Sequence, residues 1–185
     1  KGLGTDTLYL YGMDELYDRI DTIYVENDKF SYTTSVDTIT SAYLLLKNRI
    51  EYPVFLDKGN KIKIKGDTIN LNFLTISGNI YNEEFTDFQK ALEDPADPSE
   101  KAGEETVDKR TTVEKANTAE EMAEEFILQH HSSYVSLYLL DKYFVQKETP
   151  DFSKIKKLVE VMTGVLQDKP YIERLNETIT QAEKS

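Results

Sequence analysis

Residues 71–92 read LNFLTISGNIYNEEFTDFQKAL, and a change of period runs through them. Up to Ser77 the residues are β-branched, aromatic and short, as in a strand. From Ser77-Gly78-Asn79 onward the spacing is helical, with Phe85, Phe88 and Leu92 on one face. A sheet ends here and helices begin.

Toward the N-terminus the chain reads as short strands separated by turn residues. Leu8 to Tyr11, Arg19 to Val25, Lys29 to Thr33, Ser41 to Leu46, Pro53 to Leu56, Lys61 to Lys65 and Leu71 to Ser77 are the expected strands. Asn27-Asp28 signals a hairpin, because both residues tolerate the left-handed conformation of a two-residue turn. Asp57-Lys58-Gly59-Asn60 is a second turn. Lys61, Lys63 and Lys65 alternate with Ile62 and Ile64, so three ammonium groups share one face. Such a row could hold an anion. The reading adopted is a half-buried strand whose charges discourage edge pairing.

Toward the C-terminus, residues 93–125 hold twelve acidic and four basic side chains, together with Pro95, Pro98 and Gly103. This stretch is expected to be a loop or a solvated helix end. A calcium loop needs carboxylates at alternate positions, a central Gly and a terminal Glu, and Asp94 to Glu105 lacks that spacing. Beyond it the signals are helical. Thr118 and Glu121 form a capping box, with Met122 and Phe126 paired at i, i+4. Ser132 or Ser133 caps a second helix carrying Val135, Leu137, Tyr138, Leu140 and Phe144, broad enough in its apolar surface to be buried. Asp151 after Pro150 opens a third, with Phe152, Ile155, Leu158, Val159 and Met162 at helical spacing and Gly164 as its stop. Asp168 caps a fourth, with Pro170 in its first turn and Ile172, Leu175 and Ile179 as its stripe. The expectation is an α+β chain: an antiparallel β-sandwich or barrel-like sheet over residues 1–90, an acidic linker or helix over 91–117, and a small helical bundle over 118–185.

Composition narrows the functions. The 185 residues are 39% hydrophobic and 30% charged, ordinary values for a globular chain. The net charge of −12 disfavours nucleic acid, whose phosphates need clustered cations. With no cysteine there is no thiol nucleophile, thiolate zinc site, iron–sulfur cluster or disulfide. The apolar run Tyr43 to Leu46 falls far short of the ~20 residues of a membrane span. The sequence opens without a methionine or a signal stretch, so Lys1 is expected to be a cut or processed end.

Chemistry is scarce. His130 and His131 are adjacent on a helix end and point about 100° apart, so they do not converge on a metal; capping of the terminal carbonyls is their expected role. The twelve tyrosines could stack on sugars, but most fall at strand or helix positions that favour core packing. Gly2-Leu3-Gly4 precedes no phosphate-binding unit, and the sequon Asn176-Glu177-Thr178 sits inside a helix. No catalytic, cofactor-binding or metal-ligating residue is assigned, and no cofactor is expected.

One resemblance reaches further. Asp21-Thr22 leading to Val25-Glu26-Asn27-Asp28-Lys29-Phe30, then Val54 to Asn60 and Ser77-Gly78-Asn79, resemble a β-rich domain of unknown function that commonly precedes thioredoxin-like modules. In envelope proteins of anaerobic gut bacteria that domain is followed by helices similar to Ser133 to Leu140 and Asp151-Phe152, and then by a Cys-x-x-Cys thioredoxin fold. The resemblance implies a periplasmic or outer-membrane-anchored location, with a possible lipid anchor upstream. It implies a non-catalytic accessory region that positions or docks a thiol–disulfide oxidoreductase module, and it assigns no catalytic residue to these positions. The alternative is a stand-alone envelope module that binds a peptide, a protein partner or a glycan; an enzyme acting through carboxylates alone is a remote third.

Overall fold

The structure, a computed structural model, describes residues 1–13, 16–93, 112–162, 166, 167 and 169–185. It divides into two compact units, Lys1–Asp87 and Phe88–Ser185.

In the first unit, β1 (Thr7–Gly12), β2 (Ile20–Tyr24), β3 (Thr40–Leu45) and β4 (Glu51–Leu56) form an antiparallel sheet in the order β2-β1-β3-β4. Strand alternation sends Leu8, Leu10, Ile23, Ala42, Leu44, Tyr52 and Val54 to one buried face. The register sets Leu8 opposite Ile23, Leu10 opposite Leu44, and Ala42 opposite Val54, so the core is built from cross-strand pairs. A second, two-stranded sheet pairs β5 (Lys63–Lys65) with β6 (Thr75–Ser77). Antiparallel sheet followed by helices is the expected α+β order.

Two expected strands are corrected. Asn27 and Asp28 do form the left-handed turn, closed by a bridge between Glu26 and Lys29, but pairing stops there and Lys29 to Thr33 is not a strand. Its side chains explain why: Tyr32 and Thr34 are drawn to Asp21 and Arg19 in place of a ladder. The strand expected over Leu71 to Ser77 shrinks to Thr75–Ser77. Asn70 and Asn72 tie residues 70–73 into turns, the Asn70 side chain accepting from Asn72 N–H at 3.2 Å, so local bonding wins over the sheet.

The first helix, α1 (Ile80–Glu93), starts where the sequence period changes. Asn79 caps it, its side chain accepting from Asn82 N–H at 2.9 Å. Gly78 precedes it with φ +115°, and a Cβ there would lie 2.3 Å from the Lys61 carbonyl oxygen, so only glycine fits. The boundary between the units falls inside α1, which contributes Phe85 to the first core and Phe88 to the second.

The second unit holds α2 (Thr112–Gln129), α3 (Tyr134–Leu140), α4 (Phe152–Val161) and α5 (Pro170–Lys184). Thr118 therefore lies inside α2 and is not its cap: the preceding Val113-Glu114-Lys115-Ala116 carries the helix back to Thr112. Its innermost line is Ala123 and Ile127, with Met122 and Phe126 half-buried beside it. Ser133 caps α3 by accepting from Val135 N–H at 3.2 Å, and every residue of α3 is buried, as expected. A π-turn, Asp141–Val145, continues α3 and brings Asp141 to Tyr171, whose hydroxyl donates to it at 2.6 Å. Asp151 caps α4 by accepting from Lys154 N–H at 3.1 Å. The residue before α5 is Lys169, which makes no side-chain cap bond, while Pro170 occupies the first turn. The roles expected for Pro95, Pro98, Gly103, Asp94 to Glu105, Gly164 and Asp168 lie outside the described residues.

Candidate functional site

What the first unit can present to another molecule depends on which strand edges and faces remain open. Helix α1 closes two edges with side chains one turn apart. Asn82, buried, accepts from Phe55 N–H at 2.9 Å and donates to Phe55 C=O at 2.8 Å, so its amide stands where a further strand would pair with β4. Asn79 donates to the same carbonyl at 2.8 Å. Pro53, two residues earlier on β4, has no N–H to offer. Thr86 does the same for β6: its hydroxyl accepts from Ile76 N–H at 3.1 Å and donates to Ile76 C=O at 3.2 Å.

The outer face of the four-stranded sheet is different. Tyr9, Tyr11, Ile20, Tyr24, Tyr43 and Leu45 lie on it, with Tyr11 opposite both Ile20 and Tyr43. Ile20 and Tyr24 are each 73% exposed and Tyr9 is 40% exposed, large values for apolar side chains on one strand pair. The rings of Tyr11 and Tyr43 lie 5.8 Å apart. The one charged residue of the paired positions on this face is Glu51, and it accepts from the Tyr11 hydroxyl; burial and that bond push the Tyr11 phenol well above its ordinary value. The expectation that the tyrosines are mostly core thus fails on this face. Of the twelve, Tyr17, Tyr52, Tyr134 and Tyr138 are buried.

Beside β2, Asp21 collects Tyr17, Arg19 and Tyr32. Tyr17 donates to its carboxylate, Arg19 pairs with it at 3.2 Å and lies 4.6 Å from the centre of the Tyr17 ring, and Arg19 also donates to Ser35 C=O at 2.9 Å. Burial raises the Asp21 carboxyl, but the bonds from Tyr17, Tyr32 and Arg19 and the Arg19 charge outweigh it and hold it below the ordinary range. A carboxyl held low in the folded state stabilises the fold above its unfolded value of about 4 and loses that contribution as pH falls through the folded value. Asp21→Asn is expected to remove this part of the acid-side dependence, read as a flatter decline of the urea midpoint between about pH 4 and pH 2 than in the parent. The group fastens residues 17–21 to residues 32–35.

The other singled-out residues are placed as follows. His130 Nδ1 lies 3.0 Å from the Phe126 carbonyl oxygen and His131 Nε2 lies 2.6 Å from that of Leu128, the terminal-carbonyl role expected of them. The His130 ring stacks on Phe126 at 3.9 Å. Gly2 and Gly4 have positive φ, and their loop is held by Asp28, which accepts from Gly4 N–H at 2.6 Å; backbone bonds from Gly4 and Gly2 hold that carboxyl low. Lys61, Lys63 and Lys65 are exposed and Ile62 and Ile64 half-buried, as their alternation implies, but of the strand expected over Lys61 to Lys65 only Lys63–Lys65 forms. Asn176 to Thr178 lies within α5. Among the described residues no group of three or more His, Cys, Asp or Glu could hold a metal ion, and no helix is long and apolar enough to cross a membrane.

Antiparallel sheet and edge-closing helix define the N-terminal part of the chain as a β-rich region of an α+β fold. Residues 1–85 match the model of a family described as a domain of unknown function, DUF4369. No curated protein and no solved structure matches the chain.

Proposed function

We propose that this chain is a non-catalytic accessory region that docks a neighbouring folded module through the outer face of its four-stranded sheet. The observation that carries the reading is the exposure of Ile20 and Tyr24 beside Tyr9, on a face with no basic side chain at its paired positions. Tyrosine gives large, stiff contact area at little entropic cost, and such residues are enriched where proteins meet. In the reading that the resemblance supports, the module is a thioredoxin-like thiol–disulfide oxidoreductase domain in the bacterial envelope, and its redox cysteines supply the chemistry.

The test begins with the reading frame on both sides of this segment. A Cys-x-x-Cys module in frame downstream supports the proposal; a stop codon soon after Ser185 sinks it and leaves a stand-alone binding module. In the full-length protein, hydroxyl-radical labelling of Tyr9 and Tyr24 is expected to fall several-fold relative to the same protein lacking the downstream module. Ile20→Asp with Tyr24→Asp, both at exposed positions, is expected to restore the labelling of Tyr9 without a change in far-UV circular dichroism. Equal labelling in all forms would mean that the face docks nothing in this protein.

A further inference from the structure

We propose that the outer edge of β2 is a homodimer interface, where β2 of a second copy of this chain adds antiparallel and joins the two four-stranded sheets into one. The argument does not rest on the docking role given to the sheet face. It concerns the rim of the sheet and leaves that face open.

Backbone groups alternate in direction along a strand, so one fixed bond orients the whole of β2. Val25 N–H donates to Asp6 C=O at 3.1 Å, one pair beyond Thr7 and Tyr24 in the register of β1 with β2. The groups of Asp21 and Ile23 therefore face β1, and those of Ile20, Thr22 and Tyr24 face outward. The far side of β1 agrees. Met13 N–H donates to Ser41 C=O at 3.0 Å, which turns Tyr9 and Tyr11 toward β3 and leaves Leu8 and Leu10 for β2. Among the described residues no backbone group bonds to the outward row of β2. The turn at Asn27-Asp28 directs the chain back along this rim, but the segment that follows is fastened by side chains, Tyr32 to Asp21 and Arg19 to Thr34 and Ser35 C=O, and gives β2 no ladder.

The other rims carry devices against pairing: Asn82 and Pro53 at β4, and Thr86 at β6. In β2 there is no proline and no lysine, and its one charge, Asp21, is engaged by Arg19, Tyr17 and Tyr32. The strand is also complementary to itself. Only residues with outward groups can exchange bonds across a two-fold axis, and an axis through Thr22 sets Thr22 opposite its own copy and Ile20 opposite Tyr24 on both sides. Aromatic against β-branched is a favourable cross-strand pair, and Ile20 and Tyr24 are each 73% exposed before it forms. A two-residue slip in either direction sets Tyr24 opposite Asp18 or Ile20 opposite Glu26, so the side chains select one register. In that register Asp18 and Glu26 come together at each end, and like charge opposes the contact there.

Sedimentation of this chain is expected to show a monomer–dimer equilibrium at submillimolar protein. Added salt should tighten it, because each copy carries a net charge of −12. Asp18→Lys, which sets opposite charges at both ends, should tighten it as well. Thr22→Pro removes an N–H that β1 does not use and is expected to give a monomer with the parent's far-UV circular dichroism. Thr22→Lys, an exposed substitution that sets two ammonium groups face to face, is expected to weaken the dimer by about tenfold or more. The chain has no cysteine, so Thr22→Cys supplies a single thiol. On the two-fold axis its Cα lies about 5.5 Å from that of the copy, within reach of a disulfide. Oxidation should link Thr22→Cys into a covalent dimer, whereas Tyr9→Cys, one strand further in, should still dimerise but stay unlinked. That control also separates the rim from the face. A chain that is monomeric at millimolar concentration, a dimer that survives Thr22→Pro or Thr22→Lys, or equal linking of the two cysteine variants would overturn the proposal. So would protection of the Ile20, Thr22 and Tyr24 amides that does not depend on concentration, since residues 29–35 of the same chain would then close the rim.

Discussion

Replacing Asn82 by alanine is expected to lower stability by about 2–4 kcal/mol, a large effect for one side chain of a helix. Phe55 is fully buried, and its N–H has the Asn82 oxygen as its partner; its carbonyl keeps a second donor in Asn79. The alanine variant leaves a buried donor unpaired and opens space beside it, and both costs fall in the folded state. In a chain of 185 residues this corresponds to a fall in Tm of about 2–4 °C for each kcal/mol. Thr86→Val, which removes the corresponding pair of bonds at Ile76, is expected to cost about 1–3 kcal/mol. Asn82→Asp separates donor from acceptor: the carboxylate still accepts from Phe55 N–H but meets the Phe55 carbonyl with another oxygen. It should be destabilised at neutral pH and regain stability on acidification, because the protonated acid donates where the carboxylate repels. Chemical denaturation at two pH values checks all three, and an Asn82→Ala variant as stable as the parent would remove the edge-closing role.

Leu139→Ala should cost about 2–5 kcal/mol, the range for truncating a buried leucine whose surroundings cannot collapse. Leu139 is fully buried, and α3 has no solvated side into which the packing could relax, since all of Tyr134 to Leu140 is buried. The exposed Lys157 of α4 serves as comparison: Lys157→Ala is expected to change stability by less than about 0.5 kcal/mol. Equal urea midpoints for the two variants would show that α3 is not the packing centre of the second unit.

The sequence was informative where one residue's chemistry fixes local geometry. Asn27-Asp28, Ser77-Gly78-Asn79, Ser133 and Asp151 mark turns and caps that the structure contains, because each supplies a left-handed backbone or an oxygen for an orphan N–H. It was misleading where a signature has more than one home. Thr118 and Glu121 have the spacing of a capping box yet lie inside α2, since good helix formers precede them. The sheet face was hidden for a different reason. In Leu8-Tyr9-Leu10-Tyr11 both alternating sets are apolar, so the strand can be read but its inward side cannot. Asn82 and Thr86 look like the solvated side of a helix, and only their placement against Phe55 and Ile76 gives them a task.

That task bears on how the protein fails. While α1 is seated, the rims of β4 and β6 offer no template to another chain. Once α1 lifts away locally, Phe55 and Ile76 regain free backbone groups on strands rich in apolar side chains, the arrangement from which runaway intermolecular sheets grow. The lifetime of the soluble protein on warming is then governed by the opening of one helix and not by global unfolding. A preparation can precipitate while most of its sheet is still intact.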